Sequence, residues 1–205
     1  MHSSPTSART PRATASLKKP GAALAVRAVL LLALLALLAT LAGPATLRAQ
    51  NALQHEYDIK ATYLCKFFNY VDWPADSLPP VGGTIIIGIL GENPFGPAVD
   101  WLNGKQIKGR TIAVKQVTTA KDLEQCQILF ISTSEKARLP EIFGQLKDSR
   151  VLTVSEMDGF ASQGGIVNFI SERNKVRLEI NPEAARRVGL TISSELLKLA
   201  KLVKS

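Results

Sequence analysis

The sequence predicts a single α/β domain in which a largely parallel sheet is flanked by helices and ends in an antiparallel hairpin. Three features of the chain support this. Short apolar runs alternate with segments of helical spacing through residues 57–155, the pattern of βαβ units. The run Thr84 to Leu90, "TIIIGIL", is apolar throughout, as suits a strand covered on both faces. Farther on, Ile166 to Ile170 and Lys175 to Ile180 are separated by the polar turn "SERN", which fits two paired antiparallel strands.

The chain of 205 residues opens with a segment of different character. Arg9, Arg12, Lys18, Lys19 and Arg27 precede the apolar run Ala28 to Ala42, and "GPATLRAQ" with its small Ala49 follows. A basic start, an apolar stretch shorter than the roughly 20 residues of a membrane span, and a small-residue exit describe a secretory signal peptide. Residues 1–49 are therefore expected to be cleaved and residues 50–205 to form the exported domain, a retained N-terminal anchor being the alternative. Six bases and no acid lie before Gln50. The 25 Lys and Arg against 17 Asp and Glu of the whole chain thus become 19 against 17. So slight a basic excess gives nucleic-acid binding no electrostatic support.

The first element of the domain is a helix through "HEYDIKATYLCKFFNYVDWP". Ile59, Tyr63, Phe67 and Tyr70 recur there at spacings of three or four, and Pro74 is the expected stop. "TIIIGIL" is the first strand, and "NPFGPAVDWLNG" reads as a short helix closed by Gly104. "TIAVKQV", "QILFIS" and "VLTVS" are further strands. Between the last two, Ser132 and Glu135 have the spacing of a capping box, and Pro140 opens a helix at its first turn. After the hairpin, Asn181 caps a helix that begins at Pro182 and stops at Gly189. The tail "SSELLKLAKLV" carries Leu196, Leu199, Ala200 and Val203 as an apolar stripe, expected to dock on the sheet.

Catalytic chemistry finds few materials. A Ser-His-Asp site needs a histidine delivered to it, and the exported segment has only His55, close to its start. No His or Cys pair has metal-ligand spacing, so neither a metal nor a cofactor is expected. "GENPFG" lies between a strand and a helix, but Pro94 and Pro97 remove backbone donors and Glu92 would repel a phosphate. The basic loop "NGKQIKGR" reads as solvated surface, an acidic partner being the minority reading. Cys65 and Cys126 do not form a C-x-x-C pair; one disulfide between them is a possibility left to the packing of the first helix.

In order along the chain, "FFNYVDWP", "IGILGENPFG", "LNGKQIKGR", "CQILFISTSE", "VLTVSEMDGFASQGGIVNFI", "VRLEINPEAARRVGL" and "ISSELLKLAKLV" resemble the YfiR family. The resemblance covers Tyr57 to Val203. It implies a periplasmic, dimeric, non-enzymatic α/β domain that binds the sensory part of an inner-membrane diguanylate cyclase, or of a related sensor kinase, and holds it inactive. It also implies release of that repression by an outer-membrane lipoprotein, with a rise in cyclic di-GMP and biofilm formation. Disulfide control belongs to the family as well, but here only Cys126 stands in a family motif.

The function expected is therefore regulation by binding. The recognition surfaces expected are the helix exit with Phe67, Tyr70 and Trp73, and the hairpin with Arg177, Glu179 and Asn181. A core role for the aromatics and an internal Arg177–Glu179 charge pair are the plainer readings of those residues. The alternative function is a small-molecule sensor or solute-binding module, with a cleft at the carboxyl ends of the strands near Gly91, Ser132 and Ser155.

Overall fold

A computed structural model describes residues 22–173 and 175–204. The chain divides into two compact units, residues 1–48 and 49–205. In the first, Val26 and the leucines at 30, 31, 32, 34 and 35 are exposed side chains of a helix. Residues 1–21 of the expected signal peptide lie outside the described residues. Among the described residues no helix is long and apolar enough to cross a membrane.

Helix α1 spans Ala22–Tyr70, and its residues from Ala49 onward belong to the second unit. There Ala61, Leu64, Phe67 and Phe68 recur on one side and are buried. The helix ends at Tyr70, four residues short of Pro74. Val71–Asp72 leaves it as strand β1 and pairs antiparallel with β9, Thr191–Ile192, with Val71 opposite Ile192. A tertiary partner, rather than the proline, ends the helix.

The main sheet is centred on β2 (Thr84–Leu90), which is parallel to β4 (Arg110–Val117) and β5 (Ile128–Ile131) on its two sides. Beyond β5 come β6 (Leu152–Ser155) and β7 (Val167–Glu172), both parallel. β8 (Lys175–Ile180) returns antiparallel to β7, in the register Val167 to Ile180. Short strands finish the two edges: β3 (Gln106–Ile107) beside β4 and β10 (Lys201–Leu202) beside β8. The largely parallel sheet and its antiparallel hairpin thus have the predicted form.

Side-chain alternation divides the core between the two faces of the sheet. Ile85, Ile87, Ile89, Ile128, Phe130, Val167 and Phe169 face α1, a 3-10 helix over Gly96–Leu102, and α4 (Pro182–Arg187). Leu129 and Ile131 face α2 (Ala120–Glu124) and α3 (Leu139–Gln145). Pro140 sits in the first turn of α3, and Asn181 caps α4, as their local sequence predicts. The tail departs from expectation. Helix α5 is only Ser194–Lys198, after which the chain extends into β10; Leu196 is buried, but Leu199 is 73% exposed. Pairing with β8 takes residues that the apolar stripe assigned to a helix.

Candidate functional site

The strand order β4-β2-β5-β6-β7 puts the topological switch point between β2 and β5, where open α/β sheets bind ligands beyond the strand ends. Here Ser134 and Glu135 pack directly against the turn after β2. Gly91 follows β2 with φ +84°, and a Cβ on it would collide with Ser134 Oγ and with Glu135 Cγ. The Glu92 N–H donates to Ser134 Oγ at 3.0 Å, and Gln116 Nε2 donates to the Gly91 carbonyl at 2.5 Å. Ser132 accepts from the Ser134 N–H at 3.5 Å as cap of the 3-10 turn Thr133–Arg138. Ser155 Oγ donates to the Ile131 carbonyl at 2.7 Å and accepts from the Met157 N–H at 3.3 Å. The Ser132 and Ser155 hydroxyls expected to line a cleft beside Gly91 are engaged by the chain's own backbone, and the open space at this end of the sheet, about 420 Å³, lies beside them against Thr133, Glu156 and the Tyr57–Lys60 turn of α1.

The two cysteines are free and lie on opposite faces of the sheet, Cys65 against the α1 side and Cys126 within the α2–α3 side. The sheet between them rules out the disulfide left open by the sequence. The Cys126 thiol donates to the Asp122 carbonyl at 3.2 Å, and burial, with Asp122 nearby, pushes its pKa up to about 12. Burial also raises the Cys65 thiol. Neither is an activated nucleophile, since the thiolate is the reactive form.

Near the carboxyl end of β6 lies a charged cluster that the sequence reading missed. Lys60 of α1 is 5% exposed, and its Nζ lies 2.5 Å from Glu156 Oε2 and 2.6 Å from Glu56 Oε1. The Tyr57 hydroxyl donates to Glu156 Oε1 at 3.1 Å, and burial followed by the Glu156 charge raises its pKa. A lysine three residues after Tyr57 and four before Leu64 stands on the apolar side of the helix. That spacing was the available signal, but its acidic partner is remote in sequence. Lys60 bridges the two carboxylates, and through Glu156 the cluster fastens α1 to the turn after β6. Among the described residues no group of His, Cys, Asp or Glu is placed to hold a metal ion.

The expected recognition residues separate into two environments. Phe67 is fully buried and stacks with Phe169 at 6.2 Å; Tyr70 is half-buried against the same core, and its carbonyl accepts from Ser193. Trp73 is 8% exposed and stacks on Phe68 at 5.3 Å. Asn181 is fully buried: Oδ1 accepts from the N–H groups of Glu183 and Ala184, and Nδ2 donates to the Ala161 carbonyl at 2.8 Å. Phe67 and Asn181 therefore hold the fold together and present no surface. Glu179 bonds Lys201 at 2.7 Å and Asn168 at 3.5 Å, so the Arg177–Glu179 pair is replaced by a link to the terminal strand. Arg177 is exposed on β8.

Residues 57–201, which take in this switch point, both faces of the sheet and the helix exit, match the YfiR/HmsC-like family. The chain belongs to the YfiR/HmsC-like family. That family is one of periplasmic regulators. The YfiR/HmsC-like segment starts at Tyr57 and ends at Lys201, so the Lys60–Glu156 and Lys201–Glu179 pairs fall inside it and Glu56 stands just before it. Among solved structures, an ABC domain in complex with L-Trp from Streptococcus pneumonia is 12% identical. The match covers 58% of this chain and 55% of that one, with a TM-score of 0.43. A conserved domain protein from Vibrio cholerae O1 biovar eltor is also 12% identical, with coverage of 71% and 59% and a TM-score of 0.47. The chain spans less than two thirds of the length of either structure.

Proposed function

We propose that the protein is a periplasmic, non-enzymatic regulator that binds the sensory part of an inner-membrane signalling protein and represses a diguanylate cyclase. Membership of the YfiR/HmsC-like family over residues 57–201 carries this reading. Two observations support it. Ser134 and Glu135 close against Gly91 at the turn where a ligand would approach the backbone, and the N-terminal segment has the composition of an export signal. The active protein is a homodimer, and an outer-membrane lipoprotein lifts the repression by sequestering it. Co-purification of the tagged protein with solubilised inner-membrane proteins tests the reading, together with cyclic di-GMP levels in a deletion strain. Retention of a membrane cyclase or sensor kinase, and a rise in cyclic di-GMP on deletion, are the expected results. Retention of neither, with cyclic di-GMP unchanged, would remove the reading.

A second reading, a small-molecule sensor, is favoured by one observation. A cavity of about 310 Å³ lies between α3 and α4 at the amino ends of the strands, walled by Phe143, Leu146, Val151, Ile166 and Val188 with Lys147 at its mouth. Its size and apolar wall suit a small ligand. Saturable thermal stabilisation by a metabolite, abolished by Ala184→Trp in the cavity wall, is its test.

A further inference from the structure

The cavity of about 310 Å³ between α3 and α4 stays open because two of the residues that line it, Gly164 and Ala184, carry little or no side chain. At Gly164 the backbone turns with φ +111°, and a Cβ there would come no closer than 3.8 Å to another atom. Protein interiors are otherwise close-packed, and a gap walled by Leu146, Val151, Ile166 and Val188 leaves apolar surface facing water that an apolar body would displace. The wall therefore fixes the body of a ligand, and the charged groups fix its head.

Lys147, just after α3, and Arg187, the last residue of α4, both line this cavity, and no Asp or Glu does. Among the described residues no carboxylate lies within ion-pairing distance of Lys147. Arg187 has a further interaction of its own, so the charge on offer is chiefly that of Lys147, which suits a monoanion better than a phosphate dianion. The neutral polar residues of the lining are already engaged. Thr153 Oγ1 accepts from the Ile166 N–H at 3.0 Å, and Gln163 Nε2 donates to the Gly159 carbonyl at 3.2 Å. An amine head would face two cations here. A free amino acid would bring its carboxylate to Lys147, but its ammonium would find no acid to receive it. A simple carboxylate on an apolar body meets both the wall and the lysine.

We propose that this cavity binds a small monocarboxylate with an apolar body, its chain against Leu146, Val151, Ile166 and Val188 and its carboxylate paired with Lys147. The proposal rests on the small-molecule reading above and names the ligand class, from which amines and free amino acids are excluded.

The test follows the methyl resonances of Val151, Ile166 and Val188 in the purified protein while hexanoate is added to about 20 mM at constant ionic strength. The controls are 1-hexanol, hexylamine and norleucine, which keep the chain and change the head. Hexanoate is expected to move the three methyl signals saturably, with a Kd of about 1 mM or tighter, while norleucine and hexylamine leave them in place. Lys147→Glu, at an exposed position and with an unchanged melting temperature, is expected to weaken hexanoate about tenfold and to leave hexanol as it was. Equal binding of all four compounds, shifts with hexanol but not hexanoate, or an affinity for hexanoate unaltered by Lys147→Glu would overturn the carboxylate and leave the small-molecule reading standing. Hexanoate shifts confined to residues outside the cavity would overturn the site. No shift of the three methyls with any of the compounds would remove the proposal and the small-molecule reading of this cavity together.

Discussion

Lys60 Nζ lies 2.5 Å from Glu156 Oε2, tying α1 to the turn after β6 across 96 residues of sequence. The lysine is nearly excluded from water, and its two close polar partners are the carboxylates of Glu56 and Glu156. Removing one member of a buried pair leaves the other uncompensated, at a cost of about 3 kcal/mol or more. Glu156→Ala is expected at the low end of that range, because Glu56 still neutralises Lys60. The double variant Lys60→Met/Glu156→Leu should recover most of the loss. Urea unfolding of both variants measures this, and a Glu156→Ala midpoint equal to wild type would show the pair to be energetically idle.

The two thiols should remain reduced even in an oxidising compartment. Intact mass is expected to show no loss of two hydrogens, and Cys126 to resist thiol reagents at pH 8 until the chain is unfolded. The sign of the pH effect follows from the raised thiol. Stability contributed by the Cys126 proton is complete below the ordinary value of 9.0 and falls as pH rises toward about 12. Cys126→Ala should therefore lose less stability than wild type between pH 8 and 11. Parallel losses in the two proteins would refute the assignment.

Gly88, in the middle of β2, makes room for that same sulfur. A Cβ there would stand 2.5 Å from Cys126 Sγ, 3.1 Å from Leu129 Cδ1 and 3.3 Å from Val117 Cγ1. Gly88→Ala is expected to destabilise by roughly 1–3 kcal/mol through overpacking. Adding Cys126→Ala should restore part of the loss, which a double-mutant cycle detects as coupling. Strict additivity would mean that the clash is relieved elsewhere.

Asn181 and Arg177 should separate structure from recognition on the same hairpin. Asn181→Ala removes a helix cap and leaves the buried Ala161 carbonyl without its donor, an expected cost of about 2 kcal/mol. Arg177→Ala, at an exposed position, should change stability by less than about 0.5 kcal/mol. If β8 contacts the partner, this variant nonetheless weakens capture. Unchanged capture by Arg177→Ala would place recognition away from the hairpin.

The parts of this fold that the sequence predicted are those fixed by neighbours along the chain. Pro140 at the start of α3, Asn181 before α4 and the paired runs of β7 and β8 each carry their own local signal. What was not legible depends on distant partners. Val71 leaves α1 because Ile192 pairs with it, and Lys201 leaves α5 because β8 accepts it. The disulfide failed for a similar reason: which face a thiol occupies follows from packing, and Cys65 and Cys126 lie on different faces. At the candidate site, the core role that was the plainer reading of Phe67 and Trp73 holds, but that Phe67 meets Phe169 of β7 depends on a strand about a hundred positions away.

The stacking of Phe67 on Phe169 joins the first helix of the domain to a strand about a hundred positions later. A helix whose partners are synthesised that much later cannot complete its packing early, and contacts of such sequence separation slow folding. The chain thus stays open while most of it is still being made. The hairpin of β7 and β8, made last of the sheet's long strands, is what supplies the helix with its aromatic partner.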